Sequence, residues 1–299
     1  MTSPIGYVVR EVPVASRDAG PYAVTVGPDG AVWFTLVHSG QIGRLARDGG
    51  VDLFDVDGPA SGPSIIVPGP DGALWFTRFR DHRIGRITVD GAATSWPLGG
   101  EAGPFGLTAG PDGALWFTEM NSDRVGRITP AGEITAHPLP VTGAYASMIT
   151  TGPDGALWST LNQANAIARV TVAGAVTVFP LPTPGSGPVG ITAGADGNLW
   201  FVEIAAGQIG RITVDGEIRE HPLPDRTARP HAIAGDGVGG CWFTEWGANR
   251  VGHVTHDGAI SEHDLPTPSS EPHGLAVAPD GSVWVALETG ALAHLERTA

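Results

Sequence analysis

The chain has 299 residues, 41% hydrophobic and 16% charged, the balance of a globular protein with a sizeable core rather than a disordered polyelectrolyte. Asp and Glu outnumber Lys and Arg 31 to 17, and a net charge of −14 repels phosphate backbones, which excludes nucleic acid as a partner. The lone Cys241 excludes an intramolecular disulfide and every Cys-based metal motif.

From the N-terminus, Met1 to Gly6 lack the basic and apolar regions of a signal peptide. No later stretch has the apolar run that a membrane span requires, so no membrane partner and a cytoplasmic location are expected. The segment Gly27-Pro28-Asp29-Gly30-Ala31-Val32-Trp33-Phe34-Thr35 then returns at 69–77, at 110–118 and, with Ser159 for the Phe, at 152–160. Weaker copies surround Trp200, Trp242 and Trp284, so with Trp33, Trp75, Trp116 and Trp158 the chain holds seven copies spaced 42 residues apart, with one interval of 41. Each copy reads as four short β-prone runs. In the third these are 105–109, 114–118, 125–129 and 134–139, with Asp112-Gly113 and Ala131-Gly132 supplying the left-handed residues of tight hairpins. Four-stranded units of about 40–45 residues are propeller blades. The expectation is an all-β, seven-bladed β-propeller of four antiparallel strands per blade, one domain over 1–299.

The last copy stops after its third strand, near Leu292 to Leu295. Its missing outer strand is found at the other end, where Val8 to Val14 match the outer-strand pattern Ile218 to Leu223. The N-terminal strand is therefore expected to close the seventh blade and leave no free edge. A closed ring needs no partner, so a monomer is expected.

In a repeat, chemistry shows as departure from consensus. Eleven residues before each Trp stand Tyr22, Ser64, Phe105, Ser147, Val189, His231 and His273, a ring about the central channel. Two positions earlier stand Gly20, Gly62, Gly103, Tyr145, Gly187, Arg229 and Glu271. Four residues after each Trp stand Val37, Phe79, Met120, Asn162, Ile204, Trp246 and Glu288. Glu271 and His273, at i, i+2 spacing in extended backbone, should project the same way. Glu288 then adds a second carboxylate to one blade's channel mouth, with His231 in the blade beside it. Oxygen ligands without Cys suit Mg²⁺, Mn²⁺ or Ca²⁺, and an imidazole suits proton abstraction near neutral pH. Glu119, Glu203 and Glu245 each follow their Trp by three and read as structural consensus. His137, His221 and His263 recur in outer strands and read as solvated surface. His253 and His294 replace a strand Arg, and Cys241 reads as a buried small hydrophobe.

The segments Gly20-Pro21-Tyr22, Ala228-Arg229-Pro230-His231, Phe243-Thr244-Glu245-Trp246-Gly247 and Glu271-Pro272-His273-Gly274 resemble the virginiamycin B lyase (streptogramin B lyase) family, over nearly the whole chain. That resemblance implies a Mg²⁺-dependent carbon–oxygen lyase, conferring antibiotic resistance, that opens cyclic depsipeptides of the virginiamycin S and quinupristin type by elimination. It further implies His273 as general base and Glu271 and Glu288 as metal carboxylates. His231 becomes a substrate-binding residue, and Tyr22 and Trp246 become pocket residues for the same small molecule. The loop after Glu288, Thr289-Gly290, is shorter than the family pattern. Two rivals share the fold: a metal-dependent lactone hydrolase and a non-catalytic propeller that binds a protein or glycan.

Overall fold

The structure, a computed structural model, describes residues 6–298. Among them are seven four-stranded antiparallel sheets and no helix. The first sheet takes Pro21–Val26, Val32–Leu36, Gln41–Leu45 and Val51–Asp55 in spatial order from channel to rim, and the next five repeat it. The seventh takes Pro272–Val277, Val283–Leu287 and Ala291–Arg297 and is completed outside by Tyr7–Pro13, with Tyr7 opposite Arg297 and Pro13 opposite Ala291. The seven-bladed propeller and its N-terminal closure are as the repeats predict.

Packing explains the consensus. Six of the seven repeat Trp residues are buried and Trp284 is half-buried, and in the third blade the indole N–H donates to Asp112 Oδ1 at 3.0 Å. Asp112 Oδ2 accepts from Arg127 Nε at 2.6 Å, which ties turn, second strand and third strand together. Gly126 faces Phe117 so closely that a Cβ would lie 2.2 Å from the ring. Where Ser159 replaces that Phe, the facing Gly becomes Ala168, since without the ring there is room for a Cβ.

Three histidines differ from their sequence reading. His137 and His221 stack on Trp116 and Trp200 at centroid distances of 5.4 and 5.8 Å, and His263 lies tilted 5.7 Å from Trp242. They do the packing that Phe54, Trp96 and Phe179 do in other blades, so they are half-buried ring partners rather than solvated surface. His253 Nε2 takes over the Arg contact to Asp236 at 2.9 Å, His294 stacks on Trp284, and Cys241 is buried.

Candidate functional site

Every inner strand carries a register shift at the same place, for example between Pro104 and Leu107 or between Pro272 and Leu275. The residue eleven before each Trp sits in that irregularity, where a bulge re-aims a side chain. Tyr22, His231 and His273 therefore turn toward one another at the channel mouth. Tyr22 and His273 rings lie 4.6 Å apart, His231 and His273 4.9 Å, and Tyr22 and His231 6.0 Å. The backbone of His273 is latched from the preceding blade, since Thr244 Oγ1 donates to its carbonyl at 2.8 Å. Thr35, Thr77, Thr118 and Thr160 make the same latch at four other seams. At the seams before His231 and Tyr22 the equivalent residues are Val202 and Ala286, which have no hydroxyl to donate.

A second repeated device brings the carboxylates together. The residue thirteen before each Trp is left-handed in all seven blades, with φ of 68° at Gly20, 52° at Gly62, 58° at Gly103, 53° at Tyr145, 64° at Gly187, 52° at Arg229 and 53° at Glu271. In each blade its carbonyl accepts the N–H of the residue four after the Trp, as Glu271 does from Glu288 at 3.3 Å. Glu271 is thus not extended, as the i, i+2 argument assumed. The left-handed turn and its hydrogen bond to Glu288 gather the site instead. Donor atoms of Glu271, His273 and Glu288 all lie within 4.8 Å of one another.

Glu288 lies between two histidines, with Oε2 2.8 Å from His273 Nε2 and Oε1 2.7 Å from His38 Nε2. The hydrogen bond with His273 holds its carboxyl down to about 2, against some opposition from burial, with Glu271 and His38 adding to the lowering. Glu271 moves the other way, because it faces the Glu288 carboxylate. The pair behaves as two carboxylates that need one shared cation or proton. Burial, and then the neighbouring His273, push the His231 imidazole down to about 3, so it is neutral and can donate or accept a hydrogen bond. Burial first and Glu288 second push the Tyr22 phenol up, so it stays protonated. The Trp246 ring lies 6.5 Å from that of His273. Its buried N–H is near enough to Glu271 to favour the charged carboxylate, but short of hydrogen-bond geometry. The mouth continues into a cavity of about 490 Å³ whose wall includes Phe79, Phe105, Met120, Tyr145 and Ile204, a largely apolar bowl beside the polar cluster. All six residues expected from the sequence stand at this one mouth.

A sequence model of the virginiamycin B lyase family matches residues 7–295. The chain belongs to that family. It is similar to a streptogramin B lyase structure, with a TM-score of 0.94 and 42% identity over 98% of each chain. It is also similar to the virginiamycin B lyase of Staphylococcus aureus, with a TM-score of 0.94 and 43% identity over 97% of this chain and 99% of that one. A catalytically inactive histidine-to-alanine form of that enzyme, with quinupristin, superposes at a TM-score of 0.93 and 43% identity. The virginiamycin B lyase of Streptomyces coelicolor is 60% identical over 42 residues, a match spanning 14% of this chain and 14% of that relative.

Sequence reasoning missed one contact that this virginiamycin B lyase family member makes. His38 reaches Glu288 from the first blade, across the seam where the ring closes. A signal was available. Five residues after each Trp stand His38, Arg80, Asn121, Gln163, Ala205, Gly247 and Thr289, and only the first is a histidine.

Proposed function

We propose that this chain linearises type B streptogramins, cyclic depsipeptides closed through a threonyl ester, by elimination. The observation that carries the reading is the cluster of Glu271, His273 and Glu288 within 4.8 Å at the channel mouth of a virginiamycin B lyase family propeller. Support for the substrate class comes from the quinupristin found with a relative of 43% identity.

The donor set fits a hard divalent cation, because two carboxylates and an imidazole converge and Glu271 is pushed toward protonation when no cation offsets Glu288. Glu271 and Glu288 would hold Mg²⁺, which as a Lewis acid makes the proton alpha to a carbonyl more acidic. His273 Nδ1 is buried, so Nε2 is the ring atom that a substrate can reach. In this structure His273 Nε2 donates to the Glu288 carboxylate, so it would serve as base once that carboxylate holds the cation instead. In the proposed step Nε2, so freed, takes the threonyl α-proton. The C–H pair becomes the Cα–Cβ double bond, and the Cβ–O bond breaks onto the departing carboxylate. Glu288 stabilises the imidazolium so formed, and the neutral His231 and protonated Tyr22 orient the peptide through hydrogen bonds. Products are a linear peptide with a free carboxylate and a dehydrobutyrine residue, with no water consumed.

Mass spectrometry of quinupristin incubated with the protein and Mg²⁺, against an EDTA control, tests this. A linear product of unchanged mass is expected with Mg²⁺ alone. A product heavier by one water means lactone hydrolysis and overturns the elimination. An intact antibiotic overturns the substrate assignment.

A further inference from the structure

Seven equivalent positions around the mouth demand left-handed backbone, and four of them use glycine, the one residue that adopts it without steric cost. The exceptions are Tyr145, Arg229 and Glu271. Non-glycine residues in this region are sustained where a side chain is needed for function, and Glu271 is such a case. Arg229 occupies the equivalent position in the blade next door. The backbone device that pairs Glu271 with Glu288 pairs Arg229 with Trp246, whose N–H donates to the Arg229 carbonyl at 3.2 Å. The guanidinium lies 5.5 Å from the Trp246 ring centroid, and the same Trp ring lies 6.5 Å from that of His273. Arg229 is exposed, and among the described residues no carboxylate pairs with it, although Asp and Glu number 31 in the chain.

We propose that Arg229 is a substrate-binding residue, donating its guanidinium N–H groups to backbone carbonyl oxygens of a peptide lactone held against His273, and to the carboxylate that ring opening releases. This rests on the reading of the function given above. A planar fork of donors stacked on an indole has little freedom to lose when it engages planar carbonyl or carboxylate groups. The apolar bowl opposite offers no other guanidinium except Arg80, whose Nη1 already donates to the Pro59 carbonyl at 3.0 Å.

The test separates binding from support of the fold. Arg229→Gly removes the side chain and the strained backbone together, whereas Arg229→Ala removes the side chain and keeps the strain. Both should raise KM for quinupristin roughly tenfold or more and leave kcat within about threefold. The glycine variant should melt no lower than wild type, and about 1–3 °C above the alanine variant. Arg229→Lys, which keeps the charge but not the fork, should fall between wild type and alanine in KM. Unchanged KM in Arg229→Gly overturns the proposal. So does a melting point lowered by more than about 5 °C with kcat and KM altered together, the behaviour of a structural clasp. Quinupristin Kd, followed by tryptophan fluorescence, keeps the two readings apart. Wild-type protein that binds but does not cleave overturns the lyase reading alone, and the variants' Kd then decides Arg229. Wild-type protein that neither binds nor cleaves overturns both.

Discussion

The two faces of the propeller spend the same repeat differently. On the face of the Pro-Asp-Gly turns, Asp29, Asp71, Asp112 and Asp154 each take an indole N–H at 2.9–3.0 Å and an Arg Nε at 2.6–2.7 Å. Four blades agree there atom for atom. At the opposite face the backbone repeats equally well, with seven left-handed residues and seven equivalent hydrogen bonds, but the side chains there do not. Uniform backbone on both faces and uniform side chains on only one mark the first as scaffold and the second as a site. A ring of equivalent sockets lets single side chains vary without remodelling the chain that holds them.

Substitutions on the two faces should therefore fail in opposite ways. The largest effect is expected for His273→Ala, which should reduce streptogramin turnover by at least 10²–10⁴-fold while the melting point stays within a few degrees. Near-normal turnover in that variant would remove His273 as base. Glu288→Gln and Glu271→Gln come next, and each should weaken the apparent affinity for Mg²⁺ about 10-fold or more in a metal titration of activity. An unchanged titration curve would end the metal assignment. On the other face, Asp112→Ala strips the partners from Trp116 and Arg127. It should cost about 1–3 kcal/mol in urea unfolding and leave kcat/KM within about twofold. If it silenced the enzyme without destabilising it, the division between the faces would be wrong.

The smallest effect sharpens the comparison through pH. Burial pushes the fully enclosed Glu203 carboxyl up to about 7. Its unfolded counterpart titrates near 4.5. Between those values the folded chain holds a proton that the unfolded chain has released, so stability declines as pH rises through that window and levels off above it. Glu203→Gln should remove this decline. The stability difference between pH 5 and pH 8 should shrink by roughly 1–3 kcal/mol against wild type in paired urea titrations. An identical difference in both proteins would place the Glu203 titration at its ordinary value.

Blade number, strand order and ring closure were legible in the chain because each rests on local signals repeated seven times: an Asp-Gly turn, a Trp, and an outer-strand pattern displaced to residues 8–14. Glu271, His273 and Glu288 were legible as departures from that pattern. The local geometry was not. Glu271 looked extended, and its left-handed φ shows only when it is aligned with Gly20, Gly62, Gly103 and Gly187 as a backbone position rather than as a composition. His38 escaped because its partner lies 250 residues away, beyond the reach of spacing arguments. His137, His221 and His263 misled because an imidazole that stacks on a Trp leaves the same alternating trace as a solvated one.

The closing strand also sets a timetable. Glu288 sits in a blade made of residues 272–297 and 7–13, and it leans on His38 from the first blade. At about 5–20 residues per second a chain of this length takes on the order of 15–60 s to synthesise. For nearly all of that time the outer strand Tyr7–Pro13 waits without the three inner strands of its own blade, which lie at 272–297. Glu271, His273 and Glu288 all follow the other six blades in chain order, so the candidate site is assembled only after the rest of the ring that frames it has been made.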